Sequence, residues 1–418
     1  MDFHFLSRLK KHPAIGDKIN ELNKYKKVIY RGDGIKRLTD NARKKLAPRQ
    51  KKEIKPFAEI SKTPIIELDN INRYYSWVNR GNIPREADLM VKSGRVEELY
   101  KSGNAILIKS RTKDESEPVI SFVDKNCVFR EKVLGIATET NSDDLKYFYG
   151  LFIANLSTYF QFLTSSSWGI FYPEIAQDEY LSLPYAKIQG RERFIGLVNR
   201  FIDHYRDYYS KSSTDAEKFE LVGDEPPSPV SLEEFSEINK MINEAYEIDE
   251  IEKDLIDYAL DVSRYLFQEN KVYEKALRRV DEEEIKKYAG IFYKHFSNIY
   301  DAPGEYFRIE YFYLDYFIAM KFKIVKKKPA KGEEIVKSQE ADYKRVFQAL
   351  VQKTSLYKIT NDLYINKIVK GFEEDFFYII KPNELKSWHR AAAHMDLSEF
   401  IHAINKAELI RMRKEHNG

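Results

Sequence analysis

Four of the eight histidines, His389, His394, His402 and His416, fall in the last thirty residues, close to Lys381, Asn383, Trp388, Arg390 and Asp396. Lysine, histidine and aspartate together can hold a phosphate and move protons, as a nuclease or other phosphate-handling site requires. The spacing is poor for a shared metal, because His389 and His394 are five apart and diverge on a helix. Asp375 and Lys381 do not make an Asp…Glu-x-Lys nuclease pattern either, since Ile379 and Ile380 fill the positions before the lysine. The competing reading is a capped helix packed on a strand, with Trp388 as a core anchor.

A second set of residues suits a polyanion. Gly32-Asp33-Gly34 reads as a turn in which both glycines permit positive φ and close backbone approach. Arg31, Lys36 and Arg37 flank it, so it is either an ordinary tight turn or a grip on a phosphate or base edge. The run 41–56 carries Lys44, Lys45, Lys51 and Lys52 with Pro48 and Pro56; it is a solvated face or a polyanion contact. Arg73, Tyr74, Tyr75, Trp77 and Arg80 interleave cations with rings, which suits phosphate bonding and stacking, and equally suits a half-buried strand or helix end. Lys109-Ser110-Arg111-Thr112-Lys113 opens a polar hairpin loop. Thr164–Gly169, with Ser165, Ser166, Ser167 and Trp168, is a small-residue loop carried by an aromatic helix, a form suited to contact.

Composition narrows the classes. The net charge of +3 hides an asymmetry: residues 1–60 hold 17 Lys/Arg against 7 Asp/Glu, and residues 231–260 hold 2 against 10. A basic end and an acidic middle imply different partners. The single cysteine, Cys127, excludes a disulfide framework and a thiolate metal cluster and favours a reducing, cytoplasmic compartment. The N-terminal residues lack a signal-peptide core, and no run of about 18 apolar residues is present to span a membrane. Walker, dinucleotide-binding, Gly-x-Ser-x-Gly and His-Glu-x-x-His motifs are absent from the sequence. No catalytic residue, metal or cofactor is assigned.

The elements that must position these residues follow from periodicity. Strands are expected at Lys27–Arg31, within 64–80, at 104–108 and 118–123, and over Cys127–Leu134 and Gly135–Thr138. One aromatic helix, Leu145–Leu163, covers them. Phe194, Leu197, Val198, Phe201, Ile202 and Tyr205 recur at helical spacing over 187–212. Ser231 reads as an N-cap with Glu233 and Glu234 in the first turn, opening two helices broken near Tyr246–Asp249. A helix at 281–299, two strands within 305–327, a loop at 328–338, a helix at 339–353, strands near 355–365 and 375–381, and a terminal helix complete the chain. The expected fold class is α+β: a β-rich domain over 1–186, a helical layer over 187–270, and a separate α+β domain over 271–418.

In this order, several segments resemble the target-recognition half of TaqI-like and type IIG adenine-specific DNA methyltransferases, which are related to type I restriction specificity subunits. They are the glycine turn Tyr30–Arg37, the segment Pro64–Tyr75, the strand Asn104–Arg111, the helix around Asn155-Leu156-Ser157, the loop SSSWGIFYPEI with its exit LSLPY, and Ile242–Leu260. The methyl-donor glycine motif and the catalytic Asn/Asp-Pro-Pro-Tyr motif are missing: Pro226-Pro227 is followed by Ser228. The resemblance covers about the first 260 residues. It implies a stand-alone, non-catalytic specificity subunit, or half of a split enzyme, of a restriction-modification or phage-defence system. Such a subunit would bind double-stranded DNA and target a separate methyltransferase subunit. Phosphates would be held by Lys44, Lys45, Lys51 and Lys52. Bases would be read from loops bearing Arg31, Lys36, Arg37, Arg80, Arg111 and Lys113, with Arg73 and Lys109 as further DNA contacts, Ser165–Trp168 as a groove contact and the acidic helices facing the methyltransferase. The rival expectation is a DNA-targeted nuclease or effector with active residues in 371–396.

Overall fold

The computed structural model describes residues 2–25, 29–37, 44, 63–79, 89–90, 97–110, 118–138, 142–166, 174–214, 228–267, 273–338 and 368–416. Helices and sheets are both extensive, as the α+β expectation requires. The chain divides into two compact units, Met1–Ile256 and Asp257–Gly418. The boundary thus differs from those expected at 186/187 and 270/271. Helices from residue 191 to 245 pack on the β-rich part, whereas Val262 and Tyr265 join the core of the second unit.

The first unit holds a five-stranded sheet in the order β1 (Ile29–Asp33), β9 (Val133–Thr138), β6 (Asn104–Lys109), β7 (Ile120–Val123) and β4 (Tyr74–Tyr75). All neighbours are antiparallel except β4, which runs parallel to β7. β7 and β9 are buried at every residue and β6 at all but its ends, which explains continuous apolar runs where a half-exposed strand would alternate. Small pairs flank this sheet: β2 (Lys36–Arg37) with β5 (Leu89–Met90), and β3 (Ile65–Ile66) with β8 (Val128–Phe129). Around them lie α1 (Asp2–Leu9), α2 (Ile15–Tyr25), α3 (Glu97–Lys101), α4 (Ser142–Ile153), α5 (Asn155–Thr164), α6 (Gln177–Leu181), α7 (Arg191–Thr214), α8 (Glu233–Ala245) and α9 (Glu250–Tyr258), whose last turn enters the second unit.

Four local expectations are corrected. The first strand, described over Ile29–Asp33, includes Gly32, paired with Gly135, so Gly32 is not a turn residue; Lys27 and Val28 lie outside the described residues. Neither Gly32 nor Gly34 has a positive φ. The aromatic run 145–163 is two helices: Ala154 is extended, and Asn155 N–H donates to Asn239 Oδ1 (2.8 Å), a tertiary cap that starts α5. The run 127–134 is split by a turn at Glu131-Lys132, where Lys132 takes φ 71°. Ser231 ends a short 3-10 turn and its hydroxyl donates to Ser228 O (2.7 Å), while the helix begins at Glu233 after Leu232.

The second unit carries a sheet in the order β12 (Ile335–Lys337), β10 (Tyr306–Tyr313), β11 (Phe317–Val325), β14 (Phe376–Pro382) and β13 (Val369–Phe372). β10 and β11 form the expected hairpin. The stretch read as a loop contributes β12, parallel to β10, so main-chain pairing overrides its weak apolar signal. The expected elements at 339–353 and 355–365 lie outside the described residues. α10 (Arg264–Phe267), α11 (Tyr273–Leu277), α12 (Glu282–Tyr300), α13 (Leu385–Trp388) and α14 (Arg390–His416) complete the unit. Asp281 caps α12 by accepting Glu284 N–H (2.8 Å), and Asp281 N–H donates back to Glu284 Oε2 (2.9 Å), a reciprocal cap. Rings of Phe292, Phe307, Phe322, Phe377 and Phe400 form the core where α12 and α14 cover the sheet.

One polar node interrupts that core. Asp396 accepts Tyr288 O–H (2.6 Å), pairs with Lys370 Nζ (2.6 Å), and is in direct contact with Lys381 Nζ. Lys381, only 1% exposed, also donates to Ser387 O (2.9 Å). Removing one partner of a buried ion pair leaves an uncompensated charge, costing about 3–5 kcal/mol. Asp396→Asn should therefore lower stability by about that much in urea unfolding, and Lys381→Met combined with Asp396→Leu should recover most of the loss. Equal stability of Asp396→Asn and the parent would contradict the assignment.

Candidate nucleic-acid interface

One end of the first unit's sheet gathers the loops that leave it. Gly34 N–H donates to Val133 O (3.0 Å), Ile35 N–H to Phe129 O (2.8 Å) and Glu131 N–H to Ile35 O (2.9 Å). The glycine there is required by contact: a Cβ on Gly34 would sit 1.9 Å from Arg130 O. The close approach links β2, with Lys36 and Arg37, to the Arg130–Lys132 turn. Ser110 then fixes the same turn, because its N–H and its hydroxyl both donate to Lys132 O (2.9 Å each). These bonds hold Lys132 in the left-handed region despite its Cβ.

The serine loop reaches this end through a second chain of bonds. Ile175 N–H donates to Ser110 O (2.9 Å). Beside it, Glu179 accepts from Ala176 N–H (2.8 Å), Ser166 N–H (2.8 Å), the Ser166 hydroxyl (2.9 Å) and the Ser165 hydroxyl (2.9 Å). Burial raises the Glu179 pKa, but these four donors outweigh it and hold the carboxyl below its ordinary value. The two serines are thus turned onto a carboxylate of their own chain.

The expected binding residues separate into three groups. Lys109, half-buried at the end of β6, pairs with Val133 next to Lys132 and precedes Ser110, and the bonds through Ile175 bring Ser165 and Ser166 to the same region. Arg31 and Arg73 lie elsewhere. Arg31 is exposed on edge strand β1, its Nη1 3.7 Å from the Cβ position of Gly16 on α2. Arg73 stacks its guanidinium 4.6 Å from the Tyr74 ring centre. Lys44 is exposed. Lys45, Lys51, Lys52, Arg80, Arg111, Lys113, Ser167 and Trp168 lie outside the described residues, as do the side chains of Lys36 and Arg37.

The aromatic-basic cluster is largely structural. Tyr74 and Tyr75 are buried, so their rings offer no face to a base. Trp77 lies near the opposite end of the sheet, where Lys125 Nζ sits 3.8 Å from its ring centre. Sequence reasoning missed Arg130, Lys132 and Glu179. Arg130 Nη1 pairs with Glu67 Oε2 (3.5 Å) and Lys132 is exposed. Their turn has no glycine, proline or asparagine to announce it, and Glu179 follows Ala176 where a capping box has serine or threonine.

The rival constellation is closed. Lys381, Trp388 and Asp396 are buried. His389 Nδ1 accepts Ala391 N–H (3.1 Å), and its Nε2 faces Asp261 (3.8 Å). Among the described residues, no three His, Cys, Asp or Glu side chains are arranged to hold a metal, and no helix is long and apolar enough to cross a membrane. No family model matches the chain, and no curated protein matches it.

Glu179 gives a pH test. Its folded pKa lies below the ordinary 4.5, so the stability it contributes is complete above that value and is lost as pH falls through the folded value. Glu179→Gln should flatten the acid limb of thermal stability between about pH 5 and 3. An unchanged acid limb would show that the carboxylate does not pin the serine loop.

Proposed function

We propose that the chain is a non-catalytic specificity subunit. It reads a duplex DNA sequence with its first unit and targets a separate adenine DNA methyltransferase, in a cytoplasmic restriction-modification or phage-defence system. The observation that carries this reading is the convergence of Lys109, Arg130, Lys132 and the Lys36–Arg37 strand at one end of the sheet, on loops locked by backbone bonds. Rigid loops lose little freedom on binding, and a mixed set of groups suits base edges. Cations meet phosphates and guanine, and carboxylates such as Glu131 and Glu174 in the same loops can accept from cytosine N4. The order of motifs resembling methyltransferase recognition halves supplies the partner. Chemistry on a base needs that base flipped out, which falls to the methyltransferase.

The acidic helices α8 and α9 suit the partner role. Glu233, Glu234, Glu237, Glu244, Glu247, Asp249, Glu250 and Glu252 crowd within twenty residues, a charge that DNA would repel and a basic protein surface would attract. The effector reading has weaker support, because Lys381 and Asp396 would have to open from a packed core to meet substrate.

Selection from a pool of randomised duplexes should recover a fixed sequence motif, and recovery of none would sink the specificity claim. Lys132→Gly offers a sharper test, since glycine suits the left-handed backbone and removes only the charge. Affinity for all duplexes should fall severalfold with thermal stability unchanged or raised. Unchanged affinity would remove Lys132 from the interface.

A further inference from the structure

The second unit carries a charge arrangement that its own fold does not use. Strand β11 ends at Val325, paired with Tyr306, and Lys326, Lys327, Lys328 and Lys331 follow within six residues, all exposed. Among the described residues, none of the four has a carboxylate within ion-pair distance. Elsewhere in the unit Lys287, Lys323, Lys337, Lys370, Lys381 and Lys386 each pair with an acid. The nearest acid in sequence with a defined partner, Glu334, instead accepts Gly332 N–H (2.7 Å).

The loop is also built rather than slack. Pro329 fixes one φ, and Gly332 takes φ +90°. Glu333 N–H closes a turn on Ala330 O (2.9 Å), and the chain re-enters the sheet as β12 beside β10. A preformed loop presents its cations at low ordering cost. Six residues span at most about 20 Å extended, long enough to face several phosphates of one strand.

We infer that the Lys326–Lys331 loop is a sequence-independent contact for the phosphate backbone of duplex nucleic acid. The inference rests on the DNA-binding reading of the first unit only for the choice of polyanion. Each lysine that meets a phosphate releases a counterion, so the loop's contribution shows in the salt dependence of affinity.

The test compares the full chain with a variant in which all four lysines are serine and a second in which all four are arginine. Binding to a random-sequence duplex and to a selected duplex is titrated between about 50 and 200 mM salt. The serine variant should bind both duplexes more weakly by the same factor, with the slope of log affinity against log salt reduced by about 3.6 if all four lysines meet phosphates. The arginine variant should keep the parental slope. Thermal melting should be the same in all three proteins, because the four side chains are exposed. A serine variant with the parental slope overturns the inference, as does loss of binding to phosphatidylserine vesicles with DNA binding intact. If the parent binds both duplexes equally while the serine variant loses slope, the specificity reading fails and the loop assignment stands.

Discussion

Tyrosine hydroxyls close the parts of the first unit that neither helix nor sheet can satisfy, and the arrangement of its elements depends on them. The exit segment 184–188 is irregular and buried at Pro184, Ala186 and Ile188, so the polar groups of its main chain need partners. Tyr147 O–H donates to Ala186 O (2.9 Å) and accepts Ile188 N–H (2.8 Å). Tyr246 O–H donates to Pro184 O (2.6 Å) and accepts Ala186 N–H (3.1 Å). Each hydroxyl serves both as donor and as acceptor, in the manner of a buried water but fixed to a helix or its end. At the sheet edge, Tyr149 O–H donates to Tyr74 O (2.5 Å). Tyr74 has φ 74°, a conformation that costs about 1–3 kcal/mol for such a residue. Its ring is held by Tyr205 and by edge contacts to Phe201 and Phe235. The cluster ties the sheet to the helices that follow it, which is why residues 191–245 belong to the first unit.

Periodicity made the regular elements legible and the irregular ones invisible. The apolar runs at 104–108 and 118–123 became β6 and β7, and the spacing of Phe194, Val198, Phe201 and Tyr205 became the buried face of α7. These signals are local, so a single sequence carries them. The break at Ala154 depends on Asn239, 85 positions away from it in the chain, and no local propensity encodes such a cap. β12 forms because β10 offers an edge, not because Ile335-Val336-Lys337 resembles a strong strand. Lys132 turns without a turn residue because Ser110 supplies two donors to its carbonyl.

The same distinction governs the candidate interface. Arg31, Lys36 and Arg37 flank two glycines. Gly34 is demanded by a close approach, and its neighbour across that contact is Arg130, a residue remote in sequence. The serines of the 164–169 loop looked like donors awaiting a ligand, yet Ser165 and Ser166 already share the Glu179 carboxylate. A hydroxyl's type reveals its capacity to bond, whereas its partner is settled by tertiary structure.

Lysine shows how far burial divides residues of one type. Lys381 lies among Tyr288, Trp388 and Asp396, where desolvation pushes its pKa down even though the adjacent carboxylate opposes the shift. Its charge is consumed inside the protein, and its position in a polar constellation reflects core construction. Lys326, Lys327, Lys328 and Lys331 are exposed and have no ion-pair partner among the described residues. Four like charges held within about 20 Å on a stiff loop repel one another, and that repulsion is relieved only by mobile counterions or by a polyanion that displaces them. Within this unit, four cations at the end of β11 are left exposed, whereas the polar side chains gathered around Lys381 and Asp396 are turned into the core.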